Sequence, residues 1–171
     1  MKKSIPVFLL IFSLLFSTVA YAEEPQYATT RSFLAAADTE KGITYTVDAP
    51  ITDANGTRYD LVRVTYKGDA SPYTSKIAVL FRESEDRVQL MMYNLIDFAE
   101  ENRAAVLDEI NLLNRQISGI KLYVDDSDYS VTVEMYMFVT ESTVAEATLN
   151  AIGFMIGKTD AIYEMLRDYS I

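Results

Sequence analysis

The sequence predicts an α+β domain in which helices pack on an antiparallel sheet, and three observations carry that prediction. Apolar residues alternate with polar ones between positions 43 and 95 and again between 120 and 139, which is the period of half-buried strands. Apolar residues at helical spacing separate these two regions and also flank them. Short turns join the strands, as in a meander or a hairpin. The predicted order is α-β-β-β-(β)-α-β-β-α, a three- to four-stranded meander followed by a hairpin.

The first predicted helix spans Arg31 to Asp38, after a capping threonine at position 29 or 30, and Gly42 ends it. Four segments with strand patterns follow. They cover residues 43–47, 59–66, 76–82 and 88–95, with turn residues at 53–56 and 84–86. The fourth segment is the one that decides between three and four strands in the meander.

The second half of the chain changes period. A helix is predicted from Asn102 to Ser118, with Gly119 ending it, and a hairpin follows around the acidic turn at 125–128. In the second hairpin strand, the odd-numbered residues from 129 to 139 point one way, and the even-numbered ones from 130 to 138 point the other. The last helix is predicted from Thr143 to Tyr169. The residues expected on its buried stripe are Val144, Ala147, Ala151, Phe154 or Met155, Ile162, Met165, Leu166 and Tyr169.

Gly153 and Gly157 lie one turn apart inside this last helix. A glycine in a helix interior costs about 1 kcal/mol relative to alanine, so some contact should offset it. We expect close packing of the helix on the sheet, with a subunit contact or a kink as alternatives.

The N-terminus carries the pattern of a secretory signal peptide. Lys2 and Lys3 precede the apolar run Ile5–Phe16, and Ala20-Tyr21-Ala22 supplies small residues for cleavage before Glu23. The run is shorter than the roughly 18 residues of a spanning helix, although an uncleaved anchor is the alternative. We therefore predict a signal peptide at 1–22, a flexible segment at 23–30, a single domain at 31–171, and a periplasmic or extracellular location without membrane insertion.

Composition excludes several classes of chemistry. The 171 residues contain no cysteine and no histidine, so thiolate nucleophiles, Ser-His-Asp triads and the ordinary zinc ligands are absent. No glycine-rich phosphate loop is present. The formal charge is −10, and it becomes −12 once the two leader lysines are removed, which disfavours nucleic acid as a partner. We expect no catalytic residue, no cofactor and no metal site.

Two groups of acidic residues are candidates for a catalytic site or a metal site. Glu134 lies in mid-strand among apolar neighbours and is the best candidate for a carboxylate-dependent enzyme, which needs paired carboxylates. The acids at 97, 100 and 101 are explained by their position before a helix. The turn acids Asp125, Asp126 and Asp128 could bind calcium, but the spacing lacks the glycine and the distal glutamate of an EF-hand, so a hairpin turn is the preferred interpretation.

The surface is expected to be rich in tyrosine and methionine, of which the chain has 12 and 7. If helices cover only one face of the sheet, the other face presents Met91, Tyr93, Tyr136 and Phe138 to solvent. Flexible methionine side chains suit the recognition of peptides. We predict these four as partner-binding residues; the alternative is that a helix or a second subunit covers them.

The stretch from Glu109 to Asn114, followed by a strand, an acidic hairpin and a long closing helix, resembles the YbjN-domain family of bacterial sensory transduction regulators. The similarity extends from about Phe33 to Tyr169. Asn111 and Asn114 match a recurring Asn-x-x-Asn pair of that family, with a structural role. The resemblance implies a fold similar to type III secretion chaperones, which dimerise and wrap extended client chains, and it implies no catalytic residues.

These observations give one leading hypothesis of function. The chain is expected to be an exported, non-catalytic protein-interaction module, chaperone-like or regulatory, that forms a homodimer and binds a protein segment through an apolar sheet face or groove. The alternatives are a carboxylate-dependent enzyme that uses Glu134 and a carrier of small apolar ligands with an internal cavity.

Overall fold

The computed structural model describes residue 25 and residues 27–67, 74–82 and 86–171. The α+β prediction and its element order are confirmed within them, and the meander has four strands. The elements are α1 (Ala28–Ala37), β1 (Ile43–Thr52), β2 (Arg58–Lys67), β3 (Thr74–Arg82), β4 (Arg87–Met92), α2 (Arg103–Gln116), β5 (Lys121–Asp125), β6 (Ser130–Phe138) and α3 (Val144–Leu166). The predicted signal peptide and residues Ser84 and Glu85 of the predicted turn at 84–86 lie outside the described residues.

The six strands form one antiparallel sheet in the order β1-β2-β3-β4-β6-β5. Leu90 of β4 lies opposite Val79 of β3 on one side and Met135 of β6 on the other, so β4 joins the meander to the hairpin. Helix α2 connects β4 in the interior of the sheet to β5 at its edge. No helix in the described part of the chain is long and apolar enough to span a membrane.

All three helices pack on the same face of the sheet. Side chains from each of them share one hydrophobic cluster with alternate strand residues, and the rings of Phe33 in α1 and Phe81 in β3 lie 5.4 Å apart. The buried strand residues of this cluster are Val62, Val64, Ile77, Val79, Phe81, Val88, Leu90, Met92, Leu122, Val131 and Val133. Their spacing is the predicted period of two, so the face assignment of the second hairpin strand is confirmed.

The first helix begins earlier than predicted. It starts at Ala28 rather than Arg31, and no threonine side chain caps it. The hydroxyl of Thr30 instead donates to Oδ2 of Asp60 at 2.8 Å, and the backbone N–H of Tyr27 donates to the same oxygen at 3.0 Å. Asp60 lies in β2 and is 2% exposed, and its other oxygen has no hydrogen-bond partner among the described residues. A sheet residue therefore anchors the helix start, and residues 27–30 belong to the folded domain.

The last helix confirms part of its predicted stripe. Met155 is buried and Phe154 is exposed, whereas Met165, expected to be buried, is also exposed. The buried stripe runs through Thr148, Ala151, Ile152, Met155, Ile156, Thr159, Ile162 and Leu166. Met165 precedes Leu166 by one residue and is therefore rotated by about 100° away from the sheet.

The prediction that Gly153 and Gly157 allow close packing on the sheet is wrong. No neighbouring atom lies within 4 Å of the position that a Cβ would take at either glycine, and both residues are exposed. Each follows a buried residue, Ile152 or Ile156, by one position, which turns it towards the outer surface of α3. A subunit contact or a kink stays open as an explanation.

Several element ends differ from prediction by two to five residues, and β1 differs most, because it continues to Thr52. Helix α2 ends at Gln116 because Ile117 is extended, so Gly119, with φ of 91°, lies beyond the helix end. Strand β4 ends at Met92 instead of Leu95, and Asn94 has a positive φ of 51°. The chain resumes pairing when the N–H of Leu95 donates to the carbonyl of Val131.

The outer edge of the sheet at β5 is covered by a side chain. Asn114 of α2 donates through Nδ2 to the carbonyl of Leu122 at 2.8 Å and accepts from the N–H of Leu122 through Oδ1 at 2.8 Å. The amide thus takes the place of a neighbouring strand at that residue and blocks edge pairing there. Asn111, the other residue of the pair, is exposed and makes no side-chain hydrogen bond within the described residues.

Replacing Asp60 with alanine should destabilise the protein by about 2–3 kcal/mol, because two buried donors at the start of α1 lose a charged acceptor. The midpoint and slope of urea denaturation measure this change. Asp48→Ala serves as the control, because it removes an exposed ion pair with Arg63 and should cost less than about 1 kcal/mol. Equal midpoints for the Asp60 variant and the wild type would contradict the anchoring role.

The two asparagines should differ in their effect on stability. Asn114→Ala should cost about 1–2 kcal/mol, because both polar groups of Leu122 lose their partner, whereas Asn111→Ala should stay within about 0.5 kcal/mol. Urea denaturation gives both values, and hydrogen exchange at the Leu122 amide should accelerate in the first variant only. A similar loss in both variants would show that the pair acts through the helix and not through the sheet edge.

Candidate functional site

The sheet face opposite the helices is the candidate site, and we call it the open face. It consists of the alternate strand residues Thr44, Thr46, Asp48, Tyr59, Leu61, Arg63, Thr65, Lys76, Ala78, Leu80, Arg82, Arg87, Gln89, Met91, Lys121, Tyr123, Asp125, Ser130, Thr132, Glu134, Tyr136 and Phe138. Tyr93 follows β4 and reaches the same face beside Lys76. None of the described helices packs on this face, since the helical core residues all belong to the opposite cluster.

The four predicted partner-binding residues share the open face. Met91 lies opposite Ala78 on β3 and Glu134 on β6, Tyr136 lies opposite Gln89, and Phe138 ends β6. Phe138 is 87% exposed, Tyr93 48% and Tyr136 47%. Met91 is only half buried, because it packs on a small cluster formed by Leu61, Ala78 and Leu80. The structure brings the four residues to one surface, and their role in binding stays a prediction.

A polar network holds the centre of this surface in place. Nε2 of Gln89 donates to Oε1 of Glu134 at 2.6 Å and lies 2.9 Å from the Tyr136 hydroxyl and 3.3 Å from the Met91 sulfur. The hydroxyl of Tyr93 donates to the same sulfur at 3.0 Å. The aromatic and methionine side chains are therefore fixed by one another, which reduces the entropy that a ligand would have to remove.

Cationic side chains lie against the tyrosine rings. The guanidinium of Arg87 stands 5.1 Å from the centre of the Tyr136 ring, and that of Arg82 stands 5.8 Å from the centre of the Tyr59 ring. Arg63 forms an ion pair with Asp48 on the neighbouring strand. These contacts keep the charges close to the sheet, so the face combines flat aromatic area with positive charge.

The tyrosines of the face are neutral at physiological pH. Burial, with a further contribution from Glu134, raises the pKa of Tyr136 to about 12 and that of Tyr123 to about 12. Burial likewise raises the pKa of Tyr93. Each hydroxyl can therefore donate a hydrogen bond to a bound chain or accept one from it.

Among the described residues, Glu134 does not have the neighbours of a paired-carboxylate site. The residues directly opposite it are Met91 on β4 and Lys121 on β5, and its carboxylate accepts a hydrogen bond from Gln89. A general acid and a general base, or a nucleophile, require a second carboxylate at a defined separation. The arrangement makes Glu134 an organising acceptor for Gln89 and Tyr136.

The acidic turn behaves as a turn, as predicted. Oδ1 of Asp125 accepts from the N–H and the hydroxyl of Ser127, at 2.9 and 2.6 Å, and Asp126 forms a two-bond ion pair with Arg103 at 2.6 and 2.8 Å. That ion pair lowers the pKa of Asp126. Among the described residues, no cluster of three or more acidic side chains has the arrangement of a metal site.

The sequence interpretation missed Gln89 and the arginines that stand over the tyrosines. Gln89 occupies the position between Arg87 and Met91 on the same face of β4, so the period of two contained the signal. Its polarity within an apolar strand was the available clue. The identity of its partners depends on which strand pairs with β4, and that pairing skips β5 along the chain.

Glu134→Gln should lower the pKa of Tyr123 and Tyr136, because the negative charge of Glu134 contributes to raising both. A tyrosine whose pKa is raised by folding contributes stability that is fully present below its unfolded pKa of about 10. This contribution is lost as the pH rises to its folded pKa of about 12. The variant should therefore form tyrosinate at lower pH, and its stability should decline less over that window. Ultraviolet absorbance titration and urea midpoints measure the two effects.

Glu146→Gln is the matched control for this titration, because Glu146 is an exposed residue in the first turn of α3, on the helix side of the sheet. It changes the net charge equally and should leave the tyrosinate curve unchanged. Identical curves for the Glu134 variant and the wild type would mean that Glu134 does not act on these rings.

Comparison with known proteins places the chain in a family. The model of the YbjN family, described as "Putative bacterial sensory transduction regulator", matches residues 70–169. The match includes Asn111, Asn114 and the part of the open face that β3, β4, β5 and β6 form. Searches of curated proteins and of solved structures give no significant match. Since the matched region is more than half of the 171 residues, the chain belongs to the YbjN family.

Proposed function

We propose that this chain is an exported, non-catalytic protein-interaction module of the regulatory or chaperone kind, and that it binds a protein segment on the open face. The family description supports a regulatory role. Because the described chain gives Glu134 no carboxylate opposite it, the alternative of a carboxylate-dependent enzyme has less support.

The observation that carries this proposal is the exposure of aromatic side chains on a sheet face without a helix. Phe138, Tyr93 and Tyr136 expose apolar area beside the half-buried Met91. Covering apolar surface gains about 25 cal/mol for each Å², so a partner that shields these rings is favoured. A cluster of exposed aromatic side chains on one surface is a feature of interaction sites.

The chemistry of the face suits a polypeptide. Neutral tyrosine hydroxyls can bond to backbone amides, and the polarisable side chain of Met91 can contact apolar groups. A carrier of small apolar ligands is less well supported. The depression between α1 and α3, of about 580 Å³, is lined in part by the charged residues Glu40, Lys41 and Glu146.

Export and self-association are parts of the proposal. The leader pattern at residues 1–22 supports a periplasmic or extracellular location. The exposed Phe154 and the uncovered glycines Gly153 and Gly157 on α3 are consistent with a homodimer that uses this helix. Sedimentation velocity of the purified protein distinguishes a dimer from a monomer.

The double variant Tyr93→Ser with Tyr136→Ser should lose partner capture by at least about ten-fold while staying folded, because buried aromatic anchors carry much of the binding energy of an interface. The measurement is crosslinked capture of the tagged protein from the envelope fraction of its source, followed by quantification of each recovered protein. Circular dichroism checks the fold.

The matched control replaces two exposed apolar residues elsewhere, Leu112→Ser on α2 and Met165→Ser on α3. This control should capture the same partner as the wild type. If the open-face variant retains full capture, the open face is not the binding surface; if both variants lose it, the effect is general and the proposal is contradicted.

A further inference from the structure

One end of the open face contains a depression of about 360 Å³ between β1, β2 and β3, and Tyr93 forms one wall. We call it the Lys76 depression. Its lining consists of Thr46, Arg63, Thr65, Lys76, Ile77, Ala78 and Tyr93. It lies beside Met91, which packs near Ala78, so a chain bound along the aromatic residues would pass over it.

The lining has the groups that bind a carboxylate. Lys76 is exposed, and no carboxylate of the described residues forms an ion pair with it. Thr46 and Thr65 bring hydroxyl groups to the same depression, and neither side chain is hydrogen-bonded within the described residues. A free ammonium group with adjacent hydroxyl donors and an aromatic wall favours an anionic side chain with an apolar stem.

The charge balance of the open face differs from that of the whole chain. The chain carries a formal charge of −10, yet cations outnumber anions among the described residues of this face. The cations are Arg63, Lys76, Arg82, Arg87 and Lys121, and the anions are Asp48, Asp125 and Glu134. Asp48 and Glu134 already have partners within the face, namely Arg63 and Gln89. Lys76 is therefore positioned for a charge from outside.

We propose that the segment bound by the open face is acidic and extended, and that one of its carboxylates occupies the Lys76 depression. This inference rests on the proposed function and specifies the chemistry of the partner. In an extended chain, alternate side chains lie on one side about 7 Å apart. A segment with an acidic residue at one position and apolar residues two and four positions further along can thus place a carboxylate at Lys76 and apolar groups over Met91 and Tyr136.

A peptide titration tests this inference on the purified protein. Three acetylated and amidated hexapeptides carry leucine at their third and fifth positions, serine at their second, fourth and sixth positions, and glutamate, glutamine or lysine at the first. The glutamate peptide should bind at least about five-fold more tightly than the other two, weaken with added salt, and shift the amide resonances of Lys76 and Tyr93. Nuclear magnetic resonance titration of ¹⁵N-labelled protein gives both the affinity and the location.

Two charge reversals separate a local effect from a general one. Lys76→Glu should weaken the glutamate peptide by at least about five-fold, and Lys76→Arg should retain binding, because the first reverses the local charge and the second keeps it. Lys158→Glu, on α3, changes the net charge equally and should leave the affinity unchanged. Equal losses in the Lys76→Glu and Lys158→Glu variants would overturn the inference.

The remaining outcomes distinguish this inference from the proposed function. If all three peptides bind equally on the open face, the face binds polypeptides without a preference for acids, so the inference fails and the proposed function stands. If no peptide shifts open-face resonances, the inference also fails. The capture experiment with Tyr93 and Tyr136 then decides the proposed function independently.

Discussion

The sheet has two faces, and the described part of the chain supplies helices for only one of them. Phe33 of α1 and the buried stripe of α3 cover the Val62–Val79–Leu90 side together with α2, and one continuous core results. The other face must therefore be stabilised by its own side chains. Leu61, Ala78 and Leu80 are buried there without a helix, under long neighbours such as Tyr59 and Met91. Everything distinctive about the open face follows from this one-sided packing.

A face that covers itself is built from side chains that are both long and amphipathic. Tyrosine, methionine and arginine can lay an apolar stem or ring on the sheet while a polar group reaches water or a neighbour. The contacts of Gln89 with Glu134 and Tyr136, and the placement of Arg87 over the Tyr136 ring, are the means by which this layer is ordered. A partner that binds the open face would contact this same layer of side chains. The groups that stabilise the free protein are therefore also available for recognition.

Local periodicity was sufficient to predict the elements and the two faces. The alternation in β6 separates Met135 from Tyr136 without knowledge of any partner strand, and it placed the four candidate residues on one surface. Local periodicity does not predict contacts between residues that are far apart in the sequence. The sequence predicts a capping threonine at position 29 or 30, but the hydroxyl of Thr30 donates to Asp60 in β2, 30 residues along the chain. The close packing predicted at Gly153 and Gly157 rests on their residue type alone, whereas the apolar stripe of α3 turns both glycines away from the sheet.

Charge distribution gives the open face a means of discrimination. The surplus of acidic residues over the whole chain repels extended polyanions at a distance, whereas at the open face a single carboxylate meets Lys76 within the roughly 8 Å range over which charges act in physiological salt. Nucleic acids and anionic membranes carry many charges and experience the whole field. A short acidic segment experiences mainly its nearest neighbours. Specificity is a difference between affinities, and this arrangement lowers the affinity for the competitors while the local cation retains the segment.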